Sequence, residues 1–194
     1  IRIHSSRLIL MIADVSGKGV PAALFMALAR IVIRVNASWY DAPAEVVNAA
    51  NTIISRESPS GMFVTTFYAD YEEKIRRLRY VNAGHNPPIL LRNGEFSVLG
   101  CTGLAIGIMP DFEFDSGHVD LEQGDLLAFY TDGVTEAVNN NLELFGEERL
   151  HEILKNHAHR SAQEILEEIF TAVETFAEGR AQEDDITLII MKVE

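Results

Sequence analysis

Residues 8–27 read LILMIADVSGKGVPAALFMA, and this stretch determines how the rest of the chain is interpreted. An apolar run ends in Asp14, a glycine-bearing turn follows, and a helix is predicted to start at Pro21. Proline suits the first turn of a helix because its missing N–H would have no partner there. A carboxylate at the end of a strand is held on a rigid element but faces solvent, where a metal ion or a phosphate would be bound.

Two later segments repeat this arrangement. Residues 126–133 (LLAFYTDG) end an apolar run in Asp132, and Glu183, Asp184 and Asp185 open the last apolar run, residues 186–193. A single aspartate before a glycine is more often a turn residue than a ligand. Three acidic strand ends, however, can converge at one edge of a sheet, so together they indicate a metal site.

The composition limits the class of protein. With 194 residues, of which 47% are hydrophobic, we expect one domain over residues 1–194. The one cysteine, Cys101, excludes an internal disulfide and fits a reducing compartment. A formal charge of −13 disfavours nucleic acid as a partner, since that binding depends on clustered Lys and Arg. We expect a cytoplasmic domain without membrane contacts, whether or not its parent protein is membrane-anchored.

The order of predicted elements indicates an α+β fold. A helix over residues 21–35, apolar on every side and so expected to be buried, is followed by one that starts near Asp41 and Pro43. A later helical block, residues 147–176, is interrupted near Arg160, where Ser161 and Glu164 form a capping box. Strands are predicted at residues 8–13, 63–71, 77–83, 89–91, 96–99, 112–121, 126–130 and 186–193. We therefore predict an α-β-β-α sandwich of two mainly antiparallel sheets flanked by helix pairs.

The carboxylates favour one kind of chemistry. The loop around Lys18 lacks the spacing of a Walker phosphate loop, and Ser16 lacks that of a nucleophile elbow. Asp and Glu oxygens favour Mg²⁺, Mn²⁺ or Ca²⁺ over zinc. Two such ions that share a carboxylate and a water suit phosphate ester hydrolysis. Asp14, Asp132 and Asp184 can supply that set without a protein nucleophile.

Four segments, in the same order, resemble the bacterial SpoIIE/RsbU-type phosphatases. These are ADVSGKGVPAALFMA (residues 13–27), YVNAGHNPPILL (80–91), LLAFYTDGVTEA (126–137) and EDDITLIIMKV (183–193). That family belongs to the superfamily of protein phosphatase 2C, the metal-dependent serine/threonine phosphatases. The resemblance implies the α-β-β-α sandwich and a centre of two Mn²⁺ or Mg²⁺ ions at one edge.

The resemblance also assigns metal ligands. Asp14 is similar to the aspartate that bridges the ions, and the backbone carbonyl of Val15 would coordinate one of them. Asp132 matches a ligand of the second ion, and Asp184 matches the remaining ligand. Asp185, which is adjacent, is an alternative to Asp184 or acts next to the ligands.

Three further residues are candidates for substrate contact or for support of the metal ligands. Gly17 and Lys18 lie in the glycine-bearing turn, and His85 lies in the turn of residues 82–86 (NAGHN). His85 would contact the substrate phosphate, donate a proton, or serve only as a structural turn residue; these alternatives stay open.

The chain departs from the family pattern at its beginning. Family members usually carry a Gly-Gly-Asp-Phe/Tyr-Tyr-Asp segment before the Asp14 motif, and only IRIHSSR (residues 1–7) stands there. We therefore expect an N-terminally truncated domain that lacks the first strand and a metal-binding aspartate. An unpaired strand edge would favour homodimer formation by strand pairing.

By resemblance, the substrate would be a phosphorylated regulator such as an anti-sigma-factor antagonist of the STAS type. An upstream sensor or receiver domain would regulate the phosphatase through the first two helices. The alternatives are a non-catalytic docking module with the same fold, favoured by the missing aspartate, and a metal-dependent phosphodiesterase or nucleotide hydrolase.

Overall fold

The structure is a computed structural model that describes residues 2–4, 7–58, 61–182 and 184–194. It divides into two compact units, Ile1–Pro87 with Gly100–Leu121, and Pro88–Leu99 with Glu122–Glu194. Among the described residues, no helix has both the length and the apolar character needed to cross a membrane.

The elements follow in chain order. They are β1 Arg2–His4, β2 Arg7–Val15, α1 Val20–Asn36, α2 Pro43–Glu57, β3 Val64–Glu72, β4 Arg77–Ala83, β5 Ile89–Arg92, β6 Glu95–Val98, β7 Gly117–Asp120, β8 Leu126–Tyr130, α3 Asp132–Thr135, α4 Gly146–His157, α5 Ala162–Ala177 and β9 Leu188–Lys192. All strand pairs are antiparallel. The predicted α+β class with two mainly antiparallel sheets is confirmed.

The first unit contains a sheet of order β1-β2-β3-β4-β7 with α1 and α2 packed on it. Val15 of β2 and Val64 and Tyr68 of β3 contribute to the core shared with these helices. Because strand side chains alternate between faces, Asp14 and Thr65 point to the other face of the sheet. The side chain of Asp14 is therefore on the face away from α1 and α2.

An ion-pair cluster in the same unit fastens the α1–α2 connection to the sheet. Asp70, 1% exposed, accepts hydrogen bonds from Arg7 Nε at 2.8 Å and Arg79 Nη2 at 2.5 Å. Arg7 also donates to the Asp41 carboxylate at 2.6 Å. Asp41 was expected to start α2, but the residue before the first helical turn is Ala42 and Asp41 serves this ion pair instead.

The second unit contains a sheet of order β6-β5-β8-β9, whose core is shared with α4 and α5. The predicted Asn93-Gly94 turn joins β5 to β6, and both residues have positive φ (51° and 83°), as a tight hairpin turn requires. Ser161 and Glu164 form the predicted capping box at the start of α5. Tyr130 donates to Glu147 at 3.2 Å, and burial raises the pKa of its hydroxyl.

Three expectations about the elements are wrong. α1 is not buried on all sides, because only the face with Phe25 and Ile33 meets the core, while Val20 and Leu24 are 73% and 67% exposed. Of the strand predicted over residues 112–121, only the part that forms β7 is a strand in the structure. Phe114 lies before it, in the core, and its N–H donates to the Asn48 side chain.

The third wrong expectation concerns the edge of β2. The short strand β1, which was not predicted, pairs with the beginning of β2 through Arg2 with Leu8 and His4 with Arg7. The edge that was expected to be unpaired is thus partly covered. β1 has three residues and β2 has nine, so this cover is confined to the start of β2.

Candidate functional site

Asp14 is the second-to-last residue of β2 in the first unit. It lies directly opposite Thr65 of β3 and is half-buried. The strand was expected to stop before Asp14, but it continues through Val15, whose partner is Val64. Pairing along the whole of β2 fixes the backbone at Asp14 and Val15, so a ligand placed here would be held rigidly.

The glycine-bearing turn after β2 is tied to the segment before β3. Ser16 N–H donates to the Phe63 carbonyl at 2.9 Å, and Phe63 N–H donates to Ser16 Oγ at 2.9 Å. Gly17 and Gly19 both have φ near +85° (89° and 81°), a conformation that side chains disfavour. Lys18 lies between them and is exposed. The turn thus presents a cation four residues after Asp14.

His85 is buried, at 4% exposure, in the turn after β4. Its backbone N–H donates to Asn82 Oδ1 at 2.9 Å, and its ring Nδ1 is 3.0 Å from Thr65 Oγ1. The Thr65 hydroxyl also lies 3.4 Å from the Asp14 carbonyl oxygen, to which it can donate. The structure therefore brings Asp14 and His85 to a common contact, Thr65.

A loop of the first unit packs against the His85 turn. Thr102 N–H donates to the Asn82 carbonyl at 2.9 Å, and Asn82 N–H donates to Thr102 Oγ1 at 3.0 Å. A Cβ added to Gly84, where φ is +68°, would lie 3.1 Å from the backbone nitrogen of Ala105. Glycine is therefore needed next to His85 both for its conformation and for this close approach.

In the second unit, the structure brings Asp132 next to the Asp184–Asp185 segment. Thr131 N–H donates to the Thr187 carbonyl at 3.1 Å, and Thr187 N–H donates to Thr131 Oγ1 at 2.9 Å. Thr131 Oγ1 also lies 3.0 Å from the Asp185 carbonyl oxygen. These contacts continue the β8–β9 pairing beyond the strands, so two of the three predicted acidic strand ends do converge.

Asp132 is half-buried at the start of α3, a helical turn that the sequence did not predict. Asp184 and Asp185 are exposed, and Asp185 N–H donates to Asp184 Oδ1 at 2.9 Å. Glu183, which was expected to open this segment, lies outside the described residues. Both Asp184 and Asp185 stay candidates for the ligand, with Asp184 matching the family motif.

The donor types of the predicted ligands suit hard divalent cations. Aspartate carboxylates and backbone carbonyls are the oxygen ligands that Mg²⁺ and Mn²⁺ prefer, and Mg²⁺ commonly takes one or two carboxylates and keeps several waters. Over the part of the chain that the structure describes, no group of three or more His, Cys, Asp or Glu side chains is arranged to hold a metal ion. Gly133 leaves room for the Asp184–Asp185 backbone next to Asp132.

Sequence reasoning missed the residues that position the predicted ligands. Thr65 lies in a strand of β-branched and aromatic residues, and only the observed register, which places it opposite Asp14, identifies it. Thr131 and Gly133 flank Asp132 in the quoted motif, but a motif alone does not reveal their contacts with the following strand.

Comparison with known proteins gives three consistent results. The family model described as Stage II sporulation protein E (SpoIIE) matches residues 4–194. Phosphoserine phosphatase RsbU of Bacillus subtilis (strain 168) is 31% identical over 183 residues, which cover 93% of this chain and 54% of that protein. The chain thus spans about half the length of this curated relative.

Solved structures agree in fold. The SiaA-PP2C domain of Pseudomonas aeruginosa superimposes with a TM-score of 0.87 at 23% identity, over 100% of this chain and 78% of that one. RsbX in complex with magnesium has a TM-score of 0.72 at 19% identity, over 98% of this chain and 83% of that one.

The family match extends over nearly the whole chain and includes the segments of Asp14, His85, Asp132 and Asp184. The fold is that of the PP2C domains. The chain therefore belongs to the SpoIIE family.

Proposed function

We propose that this chain is a metal-dependent phosphoserine/phosphothreonine phosphatase domain that uses two Mn²⁺ or Mg²⁺ ions. Asp14, the Val15 carbonyl, Asp132 and Asp184 would hold the ions. The observation that carries this proposal is the contact of Asp132 with the Asp184–Asp185 segment, made by Thr131 and Gly133. A magnesium complex of a protein with the same fold supports the metal dependence.

The residues of the chain have distinct roles in this proposal. When bound, the two ions would lower the pKa of a shared water and neutralise charge on the phosphate. Asp14 would keep its position through the pairing of β2 with β3, and Asp132 through the bonds of Thr131. Lys18, an exposed cation on the turn after Asp14, would attract the substrate phosphate.

The substrate would be a phosphorylated regulatory protein of the anti-sigma-factor antagonist (STAS) type. The relative RsbU is named a phosphoserine phosphatase, and this similarity supports a phosphoserine substrate for the present chain. The formal charge of −13 also argues against a nucleic acid as the partner.

An upstream sensor or receiver domain would act through α1 and α2. The side chain of Val15 packs against the core that these helices share with the sheet, and its backbone carbonyl is a proposed metal ligand. A shift of α1 and α2 would therefore reach the ligand directly. α1 leaves Val20, Leu24 and Ile31 exposed, which supports it as the contact surface.

Homodimer formation by strand pairing stays a prediction.

The test compares three classes of substrate in the presence of Mn²⁺: a seryl-phosphorylated protein, an aryl phosphate and a nucleotide. We expect turnover of the phosphoprotein and the aryl phosphate, little of the nucleotide, and none after chelation of the metal. Preference for the nucleotide would favour a small-molecule hydrolase. Binding of the phosphoprotein without turnover, at any Mn²⁺ concentration, would favour the non-catalytic docking module.

A further inference from the structure

The hydroxyl of Thr65 occupies a position that the proposed metal chemistry does not explain. Thr65 and Asp14 are directly opposite each other on paired strands, so their side chains share one face of the sheet. From this face Thr65 Oγ1 contacts the ring of His85, which comes from the turn after the next strand, at 3.0 Å. One hydroxyl thus connects a proposed ligand strand with a buried imidazole.

The chemistry of the hydroxyl limits what this contact can be. A threonine hydroxyl has one proton to donate and two lone pairs to accept with. If it donates to the Asp14 carbonyl, at 3.4 Å, then His85 Nδ1–H donates to Thr65. If it donates instead to Nδ1, the proton of the neutral ring is on Nε2. In both arrangements Nδ1 is engaged by Thr65, so any chemical role of the ring falls to Nε2.

Further contacts hold the backbone of the histidine in place. The backbone of His85 is held by Asn82 Oδ1 at 2.9 Å, and Asn82 is held in turn by Thr102. Gly84 packs on Ala105 next to it. These contacts fix the turn, whereas the contact with Thr65 acts on the ring itself.

We propose that Thr65 is a positioning residue for His85, which it orients so that Nε2 serves the phosphoryl reaction. This inference rests on the proposed phosphatase function. In the arrangement in which the hydroxyl donates to the Asp14 carbonyl, it also connects the ring to β2. The matched variants are Thr65→Val, which keeps the shape but removes the hydroxyl, and Thr65→Ser, which keeps the hydroxyl.

The first test does not depend on activity. The ¹⁵N shifts of the imidazole nitrogens are measured in metal-free protein, and the signals of His85 among the six histidines are assigned with His85→Gln. We expect Thr65→Val to shift the Nδ1 signal and Thr65→Ser to retain it. An unchanged Nδ1 signal in a folded Thr65→Val protein would overturn the proposal.

The second test separates positioning from general stability. At saturating Mn²⁺, Thr65→Val should lower kcat for an aryl phosphate by roughly ten- to a hundredfold, with KM changed less than about threefold. Thr65→Ser should stay within about threefold of the unchanged protein. The double variant with His85→Gln should be no slower than His85→Gln alone, because the two residues act as one unit.

The outcomes are distinguishable from a failure of the proposed function. Additive losses in the double variant, or a Thr65→Ser protein as slow as Thr65→Val, would overturn the positioning role, with thermal unfolding used to verify that each variant is folded. If the protein without substitutions shows no Mn²⁺-dependent turnover, that result would instead overturn the phosphatase proposal. The ¹⁵N measurement would still decide whether Thr65 orients the ring.

Discussion

A Cβ on Gly133 would lie 2.5 Å from the carbonyl oxygen of Asp185 and 3.0 Å from its carbonyl carbon. The neighbours are backbone atoms, which cannot move aside as the end of a flexible side chain can. Only glycine therefore allows the turn of Asp132 to approach the Asp184–Asp185 segment this closely. The glycine of the Thr-Asp-Gly motif is explained by this contact between two proposed ligand segments.

Replacement of this glycine should separate the two segments. We expect Gly133→Ala to reduce Mn²⁺-dependent turnover by at least about tenfold and to weaken Mn²⁺ binding, as measured by calorimetry, because the added Cβ pushes Asp132 away. Gly100→Ala is the matched control, since a Cβ there meets nothing within 4 Å. Equal Mn²⁺ affinity in both variants would show that the close approach is unimportant for metal binding.

The buried Asp70 should be important for stability. We expect Asp70→Asn to reduce the free energy of unfolding by about 2–4 kcal/mol, because Arg7 and Arg79 lose the charge that they both contact. The control is Asp120→Asn, which breaks an exposed ion pair with Arg77 and should cost much less, because solvent screens that pair. Denaturant unfolding measures both, and similar losses would contradict the importance of burial.

The hydroxyl of Tyr68 is buried and has no hydrogen-bond partner among the described residues. Burial, with the nearby charge of Asp70, raises its pKa from 10.0 to about 12. Between these values the unfolded chain releases a proton that the folded protein keeps, so stability falls as pH rises through this range.

Tyr68→Phe should therefore have two effects. It should raise the free energy of unfolding at neutral pH by roughly 1 kcal/mol, because an unsatisfied hydroxyl is removed. It should also reduce the loss of stability between about pH 10 and pH 12. Denaturant unfolding at several pH values measures both effects. A variant with the same alkaline loss as the unchanged protein would show that Tyr68 does not cause it.

Leu142 is strained, with φ at +64°, and its side chain is 72% exposed. A left-handed conformation costs a residue with a Cβ about 1 kcal/mol. We therefore expect Leu142→Gly to raise the thermal midpoint by a few degrees. Leu142→Ala keeps the strain and should leave the midpoint unchanged. If Leu142→Ala raises the thermal midpoint as much as Leu142→Gly, then loss of the exposed side chain, and not relief of strain, causes the effect.

Local patterns in the sequence predicted much of the fold. β4 and β8 have the predicted bounds, and the Asn93-Gly94 turn and the cap at Ser161 are as expected. These features depend on alternation of side chains and on turn chemistry, which neighbouring residues determine. The convergence of Asp132 with Asp184 was also predicted, from acidic residues at the ends of apolar runs.

Long-range contacts account for what the sequence did not predict. The apolar residues of α1 gave no indication of which face would meet the sheet, so the exposure of Val20 and Leu24 was missed. Phe114 has the pattern of a strand residue, but its N–H donates to the side-chain oxygen of Asn48 in α2 and not to a neighbouring strand. The contact of Thr65 with His85 depends on strand register and on a turn 20 residues away. Such relations need the folded chain.

The most direct test of the metal-dependent phosphatase is hydrolysis of an aryl phosphate at increasing Mn²⁺, measured for the unchanged chain, Asp14→Asn and Asp132→Asn. Each substitution removes one carboxylate charge and preserves the shape of the side chain, and the two lie in different units. We predict saturable, Mn²⁺-dependent turnover that both variants reduce by at least about a hundredfold. Turnover that is independent of Mn²⁺, or that survives in both variants, would contradict the proposed centre.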